Sequence, residues 1–342
     1  MKKSLTILDI AKKANVSPSA VSIALNNRKG ISEKTRERIL QIVEKYNYVP
    51  NQQARRLLFK CTNNIGILHE EHRSPLRHLF LMEVLSSALT KSEQLGYNLL
   101  ISSVNGERYN QIPDIVKNRD VDGIIIIGEM NLQIIDNIRS TGIPTVLVDD
   151  HMRSKDTIAV EVDHVQGAEL AVDYLISCGH TKIGYIGETQ ASMYGKQTYY
   201  GFKRSLKKNK LPLVEKWLRF KAANGDEKSG ERCAAELAAE CEGDVPTALY
   251  CAADIYAIGV IRRLQAEGFA VPDDISIISM DNVILSKYIQ PPLTTVKFDM
   301  AKMGEFAIET IIDLIQGDYR KPNKVFFAGE LIKRKSVKQI NE

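Results

Sequence analysis

From residue 64 onward, the hydrophobic pattern alternates between short apolar runs and longer amphipathic stretches. The short runs predict strands, and the stretches with apolar residues three and four positions apart predict helices. A first series comprises strands at 65–68, 98–102, 123–128 and 145–149, with helices at 80–95 and 112–117. A second comprises strands at 158–162, 183–186, 217–221, 248–251 and 275–280, with helices at 165–177, 199–208, 230–239 and 255–267. Continuous apolar strands alternating with helices predict two doubly wound α/β lobes, each with a parallel sheet covered on both faces.

The first fifty residues follow a different pattern and predict three short helices. Thr6, with a carboxylate three residues later, forms a variant of the capping box. After a short break, Ser17 and Pro18 restart the chain as N-cap and first helical residue. A third helix begins after Ser32 and must end before Pro50, because the residue preceding a proline is disfavoured in helical conformation. Such a short turn between the first two helices is typical of a helix-turn-helix.

The distribution of charge separates these two parts of the chain. All 342 residues together carry only +4, but residues 1–60 hold thirteen Lys and Arg against four Asp and Glu, a surplus of +9. The remaining residues carry −5. A small basic head on an acidic body is the arrangement expected when the head alone meets a polyanion. Charge and caps together favour DNA binding, with the second helix (residues 18–26) in the major groove; a structural three-helix cap with a solvated basic face stays open.

Composition excludes several other classes. No apolar run approaches the length of a transmembrane helix, and the N-terminus lacks the apolar core of a signal peptide, so we expect a cytoplasmic protein with no membrane partner. Five widely spaced cysteines without a C-x-x-C pair predict buried, reduced thiols. His69, His72 and His78 do not have the spacing of a zinc helix, so a solvated loop is favoured and no metal is expected.

The head and the segment after it closely resemble the DNA-binding head and hinge of the lactose-repressor (LacI) family. Residues 51–58 alone would form only a marginal helix, which is typical of a segment that folds on meeting a partner. The residues that carry the resemblance are Thr6-Ile7-Leu8-Asp9-Ile10-Ala11, Val16-Ser17, Val21-Ser22, Leu25-Asn26, Ser32, Thr35-Arg36, Tyr48-Val49-Pro50-Asn51 and Ala54-Arg55-Arg56-Leu57. This resemblance implies a head at 1–50 and a hinge helix with linker at 51–61.

The same resemblance implies which residues contact DNA. Pro18, Ser19 and Ser22 would meet base edges, and Leu57 would wedge into the minor groove and kink the duplex. Ile23 departs from the polar base reader of many members and offers only apolar contact, for example to a thymine methyl group. The full set of implied DNA-binding residues is Thr6, Ser17, Pro18, Ser19, Ser22, Ile23, Asn26, Ser32, Thr35, Asn51, Ala54, Arg55 and Leu57.

Carboxylates and other polar residues follow the predicted strands of the acidic body. In parallel α/β sheets, ligands bind outside the carboxyl ends of the strands, and carboxylates there suit a hydroxyl-rich ligand. The candidates are His69, Glu70, Gly128, Glu129, Asp149, Asp150, Glu188, Asp254 and Asp281.

The body also resembles the family's effector core, whose fold is that of periplasmic sugar-binding proteins. The matching stretches are Val121-Asp122-Gly123-Ile124-Ile125, Gly142-Ile143-Pro144, Gly179-His180, Ile183-Gly184-Tyr185-Ile186-Gly187, Gly201-Phe202, Val271-Pro272-Asp273-Asp274-Ile275-Ser276, Pro291-Pro292-Leu293-Thr294-Thr295-Val296 and Met303-Gly304. The lobes are then expected at 62–159 plus 292–322 and at 160–291 plus 323–342.

Resemblance implies that Phe80, Asp149 and Asp281 face the effector, and we add Thr198 and Asp254 as candidates. Four of them have a plainer alternative: Phe80 as a core aromatic, Asp149 as a turn carboxylate, Asp281 as a solvated loop residue and Asp254 as the N-cap of the following helix. Thr198 stands where many members place an effector-binding arginine, and Ala253 replaces a usual asparagine. A neutral sugar is therefore expected, because an anionic ligand would normally need the arginine. Arg73, Arg77 or Lys196 could take the place of that arginine, so an anionic ligand stays open.

Together these features predict an effector-controlled transcriptional repressor. A homodimer would read a pseudo-palindromic operator with one head per half-site. The tail at 333–342 lacks leucine heptads, which favours a dimer over a tetramer. A solute-binding or sensor protein that acts without DNA is the alternative. An enzyme is a third class, but the chain carries no nucleophile elbow, phosphate loop or dinucleotide fingerprint, and no cofactor is expected.

Overall fold

The computed structural model describes residues 5–25, 29–46, 48, 61–71, 79–105, 112–150, 157–220, 226–240 and 244–340. The chain divides into two compact units, Met1–Asn63 and Asn64–Glu342, which correspond to the basic head with its following segment and to the acidic body. Each unit is described by itself. None of the described helices is long and apolar enough to cross a membrane.

The head contains the three predicted helices, α1 (Ile7–Ala14), α2 (Pro18–Leu25) and α3 (Glu33–Lys45). The predicted caps are confirmed. Thr6 forms a capping box with Asp9, and the Ser17 hydroxyl accepts a 3.2 Å hydrogen bond from the backbone amide of Ala20. Ser32 caps α3. The three helices enclose a small apolar core made by Ile10, Ala11, Ala14, Val21, Ala24, Ile39 and Tyr48.

The second unit contains two six-stranded sheets among its described residues, which confirms the predicted pair of α/β lobes. Sheet neighbours are almost all parallel. The first lobe's strands are β1 (Asn64–Glu70), β2 (Asn98–Val104), β3 (Gly123–Ile127), β4 (Thr145–Val148), β5 (Ile158–Val162) and β11 (Lys324–Phe327). The second lobe's are β6 (Ile183–Ile186), β7 (Leu218–Arg219), β8 (Ala248–Cys251), β9 (Ser276–Asp281), β10 (Thr294–Lys297) and β12 (Glu330–Ile332).

Helices cover the faces of both sheets. In the first lobe these are α4 (Leu79–Gln94), α5 (Asp114–Lys117), α6 (Leu132–Arg139) and α11 (Met300–Gln316). In the second they are α7 (His164–Ser177), α8 (Met193–Lys208), α9 (Glu227–Glu240) and α10 (Asp254–Ala266). Helices α9 and α10 approach very closely, since a Cβ atom added to Gly259 would lie 1.9 Å from the Glu227 carbonyl oxygen. A side chain at Gly259 is therefore excluded without moving one helix.

The assignment of strands to lobes corrects the expected boundaries. Strand β5, predicted to open the second series, pairs with β4 in the first sheet, so the chain crosses to the second lobe after residue 162 rather than at 160. Strand β10 lies in the second sheet, and β11 lies in the first, beside β5. The chain thus crosses between lobes three times. The apolar pattern does not reveal these crossings, because strand pairing depends on partners distant in sequence.

Several elements were missed or misplaced by the pattern. Helices α6 and α11 and strands β10, β11 and β12 were not predicted. The strand expected at 217–221 is preceded by a 3-10 turn, and its described part is limited to β7. The expected helix at 112–117 shrinks to α5. On the other hand, Asp163 caps α7 as predicted, and Gly179 adopts the left-handed conformation expected after that helix. The described part of the tail follows the second sheet, where the Ser336 hydroxyl donates to the Ile277 carbonyl.

Candidate functional site

The exposed side of α2 displays the residues expected to meet DNA. Pro18 and Ser19 are exposed, Ser22 and Ile23 are partly exposed, and Val21 points into the core. This arrangement follows from helical spacing, because residues one turn apart share a face. The side chain of Ile23 is also near the following loop, since its Cδ1 lies 3.5 Å from where a Cβ on Gly30 would stand.

Arg36 differs from its expected place on a solvated basic face. Its guanidinium donates to the Ile23 and Ala24 carbonyl oxygens, at 3.5 and 3.4 Å, and its side chain is only 11% exposed. Glu33 lies 3.5 Å from the same guanidinium. These carbonyls belong to the last turn of α2, where backbone acceptors lack partners within the helix. Arg36 therefore joins α3 to the end of α2.

The other expected DNA contacts lie partly outside the described residues. Thr6 and Ser17 serve as helix caps on the surface of the head. The hydroxyl groups of Ser32 and Thr35 hydrogen-bond to each other at 2.8 Å. The expected contacts outside the described residues are Asn26, Asn51, Ala54, Arg55 and Leu57.

In the second unit, two expected effector residues lie at the ends of strands that belong to different lobes. Asp149 follows β4, and Asp281 ends β9; both have positive φ values, 56° and 114°, which are uncommon for residues other than glycine. Burial raises the pKa of the Asp281 carboxyl well above its usual value, and the negative charges of Asp254 and Asp149 raise it further. The negative charge of Asp149, in the first lobe, thus acts on Asp281 in the second.

A chain of contacts leads from Asp149 into the second lobe. Its Oδ1 atom lies 3.3 Å from Nε2 of His164, which is buried at the start of α7. The His164 ring packs edge-on against Tyr194, with 4.8 Å between ring centroids. The Tyr194 hydroxyl in turn donates to the carbonyl oxygen of Ala252, just after β8. Asp149 is thus connected to the ends of two second-lobe elements.

Asp254 does not cap its helix through its side chain, so that alternative is wrong. Ala253 occupies the N-cap position of α10, and no side chain bonds there. The Asp254 carboxylate instead accepts from the Ser279 hydroxyl, from the Thr295 hydroxyl at 2.6 Å and from the Val283 amide at 2.9 Å. Asp254 is fully buried and lies directly behind Asp281, whose carboxylate accepts the backbone amide of Asp254. This contact suits a role for Asp254 in positioning the Asp281 carboxylate.

The two remaining effector candidates lie on helices. Phe80 is the second residue of α4, and its side chain is outside what the structure describes. Thr198 is fully buried in α8, where its hydroxyl is 3.0 Å from the Tyr185 hydroxyl and 3.0 Å from the Tyr194 carbonyl. Thr198 stands where many members of the resembling family carry an arginine. It offers a neutral hydroxyl that is hydrogen-bonded to the Tyr185 hydroxyl.

His164, Tyr194 and Tyr250 are polar residues of this region that were not selected from the sequence, whereas Glu188 was. His164 and Tyr194 gave no local signal, because each is one polar residue at a helix start. Tyr250 is fully buried in β8, and its hydroxyl has no hydrogen-bond partner within the described structure. Burial raises the pKa of the Tyr250 hydroxyl, and the charge of Asp281 contributes to the same shift. Glu188 accepts from the hydroxyls of Ser192 and Tyr256.

No cluster suitable for a metal ion occurs among the described residues. His69 is buried in β1, and its Nδ1 atom lies 2.8 Å from the Glu70 carbonyl oxygen. His72 and His78 are outside the described residues.

The buried Asp254 predicts a pH dependence of stability. Burial raises its pKa from 3.8 to about 6, against the opposing effect of its three hydrogen-bond donors. Between these two values the folded protein holds a proton that the unfolded chain has released, so stability falls as the pH rises through this window. We expect Asp254→Asn to abolish this loss, worth about 3 kcal/mol. Thermal unfolding at about pH 4 and about pH 7 measures this pH-dependent loss of stability. If Asp254→Asn loses as much stability as the wild type between the two pH values, Asp254 is not its source.

Comparisons with known proteins agree with both parts of the chain. A family model described as bacterial regulatory proteins of the lacI family matches residues 6–51. A model described as a periplasmic binding protein-like domain matches residues 172–337. The HTH-type transcriptional repressor PurR of Mannheimia succiniciproducens is 31% identical over 344 residues, covering 98% of this chain and 99% of that protein. PurR of Aliivibrio salmonicida is also 31% identical, over 340 residues, with the same coverage.

The chain belongs to the LacI family. Among solved structures, the Lac repressor dimer bound to operator and the anti-inducer ONPF superimposes with a TM-score of 0.85 at 26% identity, covering 98% of this chain and 100% of that one. As a LacI-family protein, the chain is a DNA-binding transcriptional regulator under the control of a small-molecule effector. The chain therefore binds two different ligands, DNA and a small-molecule effector.

Proposed function

We propose that this protein is a repressor whose operator affinity is set by an uncharged, hydroxyl-rich effector bound between the lobes. The observation that carries the proposal is that Asp149, after a first-lobe strand, contacts His164 of the second lobe, while Asp281 ends a strand of that second lobe. A carboxylate accepts hydrogen bonds in fixed directions, so hydroxyl groups of one ligand can bind both carboxylates at once. A ligand held in this way favours one separation of the lobes and thereby changes the state of the DNA-binding part.

Charge in the cleft supports a neutral rather than an anionic effector. The carboxylates of Asp149 and Asp254 already raise the pKa of Asp281, so a phosphate or carboxylate placed beside them would add to the repulsion. Thr198 offers a hydroxyl bonded to Tyr185 in place of a guanidinium. Sugars and other neutral polyols are therefore the proposed ligand class.

A thermal-shift screen with matched pairs tests this class. Each neutral sugar or nucleoside is compared with its own phosphate ester, so that the pair differs by one anionic group. A true effector at a hundred times its Kd should stabilise the fold by about 2.7 kcal/mol. We expect at least one neutral member to raise the melting temperature and its phosphate ester to have little effect. Stabilisation by phosphate esters alone would contradict the proposed ligand class.

We also propose that the protein works as a cytoplasmic homodimer on a pseudo-palindromic operator. Large apolar side chains are exposed on the first lobe at α4 and the edge strand β2, and on the second lobe in the turn after β9. These residues are Leu79, Met82, Leu89, Ile101, Ile284, Leu285 and Tyr288. A second copy of this chain would cover these side chains. A dimer also matches a pseudo-palindromic operator, because each subunit can bind one half-site. Light scattering of the full chain should give a dimer; a monomer or a tetramer would contradict this part.

A further inference from the structure

A contact made by Glu129 joins the two lobes, in addition to the one between Asp149 and His164. Glu129 follows β3 of the first lobe, and its Oε1 atom accepts hydrogen bonds from the backbone amides of Met193 at 2.8 Å and Tyr194 at 3.1 Å. Both amides belong to the first turn of α8 in the second lobe. The first amides of a helix have no partners within it, and the positive end of the helix dipole favours an anion there. Glu129 thus caps a helix of the opposite lobe.

The same helix has a second cap from its own lobe. The Ser192 hydroxyl oxygen accepts the backbone amide of Gly195 at 2.9 Å. Ser192 keeps this bond whatever the distance between the lobes, because both groups move together. The Glu129 contact, by contrast, must lengthen when the lobes separate. A charge-assisted hydrogen bond is about twice as strong as a neutral one. Loss of the Glu129 contact should therefore favour wider separation of the lobes.

The capped turn also carries the residue that borders the effector carboxylates. Tyr194 packs against His164, which is hydrogen-bonded to Asp149. A ligand that moves Asp149 relative to the second lobe therefore acts on the turn that Glu129 holds. Conversely, release of Glu129 frees the turn on which Tyr194 sits.

We propose that Glu129 is a cross-lobe cap that holds the lobes at the separation seen here and couples effector occupancy to DNA affinity. Glu129 is a positioning residue in this account, since it acts through α8. Its regulatory consequence rests on the proposed function, whereas its effect on lobe separation does not.

The test compares Glu129→Ala with Ser192→Ala in the full-length protein. Both variants remove one cap from α8, but only the first removes a bond between lobes. Spin labels are placed on cysteines at Gln94, the exposed end of α4, and at Ala266, the exposed end of α10, with Cys61 and Cys241 replaced by serine. Double electron–electron resonance spectroscopy then measures the distance between the two spin labels, and so between the lobes, without any ligand.

We expect Glu129→Ala to shift the distances to longer values, with the ratio of wide to narrow populations rising about fivefold or more, the lower range of allosteric coupling. Ser192→Ala should keep the wild-type distribution, and Glu129→Gln, which keeps an oxygen acceptor without charge, should fall between. Operator affinity, measured on DNA selected by the wild-type protein, should change by a similar factor in Glu129→Ala alone. An unchanged distance distribution or an unchanged operator affinity in Glu129→Ala would overturn the proposal. If effectors fail to regulate even the wild type, the proposed function fails separately.

Discussion

Replacing Asp281 with asparagine is expected to lower effector affinity about tenfold to a hundredfold while operator affinity without effector stays within about threefold. The side chain keeps its shape and an oxygen that can still accept the Asp254 amide. It loses the charge that strengthens hydrogen bonds to a ligand, which is worth about 1.5–3 kcal/mol. Calorimetric titration of the effector found in the matched-pair screen measures the loss.

The same variant should be more stable than the wild type without ligand. Burial and neighbouring carboxylates raise the pKa of Asp281, so its ionised form opposes folding at neutral pH and asparagine removes that opposition. A gain in stability with a loss of binding is the usual mark of a functional site. Asp244→Asn is the control, because this carboxylate pairs with Lys182 and Lys216 on the surface of the second lobe. Equal loss of effector affinity in both variants would remove the role assigned to Asp281.

Arg36→Lys is expected to weaken operator binding about tenfold although the net charge is unchanged. The guanidinium joins α3 to two carbonyl groups at the end of α2, and a lysine has a single ammonium that cannot reproduce this planar geometry. Loss of these bonds should cost about 1–2 kcal/mol in the positioning of α2. Amide hydrogen exchange within α2 should become faster in the full-length variant.

Arg38→Lys is the matched control, because Arg38 lies on the exposed side of the same helix. The slope of operator affinity against salt should stay the same in Arg36→Lys, since the number of neutralised phosphates is unchanged. If Arg36→Lys binds operator as tightly as the wild type, Arg36 has no positioning role.

Local features of the fold were predictable because the residues that determine them are adjacent in sequence. Thr6, Ser17 and Ser32 cap the three head helices as expected, and Asp163 caps α7. The strand ends also selected Asp149 and Asp281 as candidates, since parallel strands finish on one edge of a sheet; their contact with an effector stays a prediction.

Features that depend on distant partners were not predictable in this way. The sequence of β5 does not show that it pairs with β4 rather than with the second sheet. From the sequence alone, Arg36 is one of several basic residues on α3. Its bond to the end of α2 is visible only in the folded head. The bond from Glu129 to α8 joins residues 64 positions apart, and its partners are backbone amides that carry no sequence signal.

We infer that the effector site and the DNA-binding head are coupled within the same molecule. Effector affinity, measured by calorimetry with and without saturating operator, tests it most directly, because coupling between two sites must be reciprocal. We expect bound operator to change effector affinity by about fivefold or more, and bound effector to change operator affinity by the same factor. Equal effector affinities in the presence and absence of operator would contradict it.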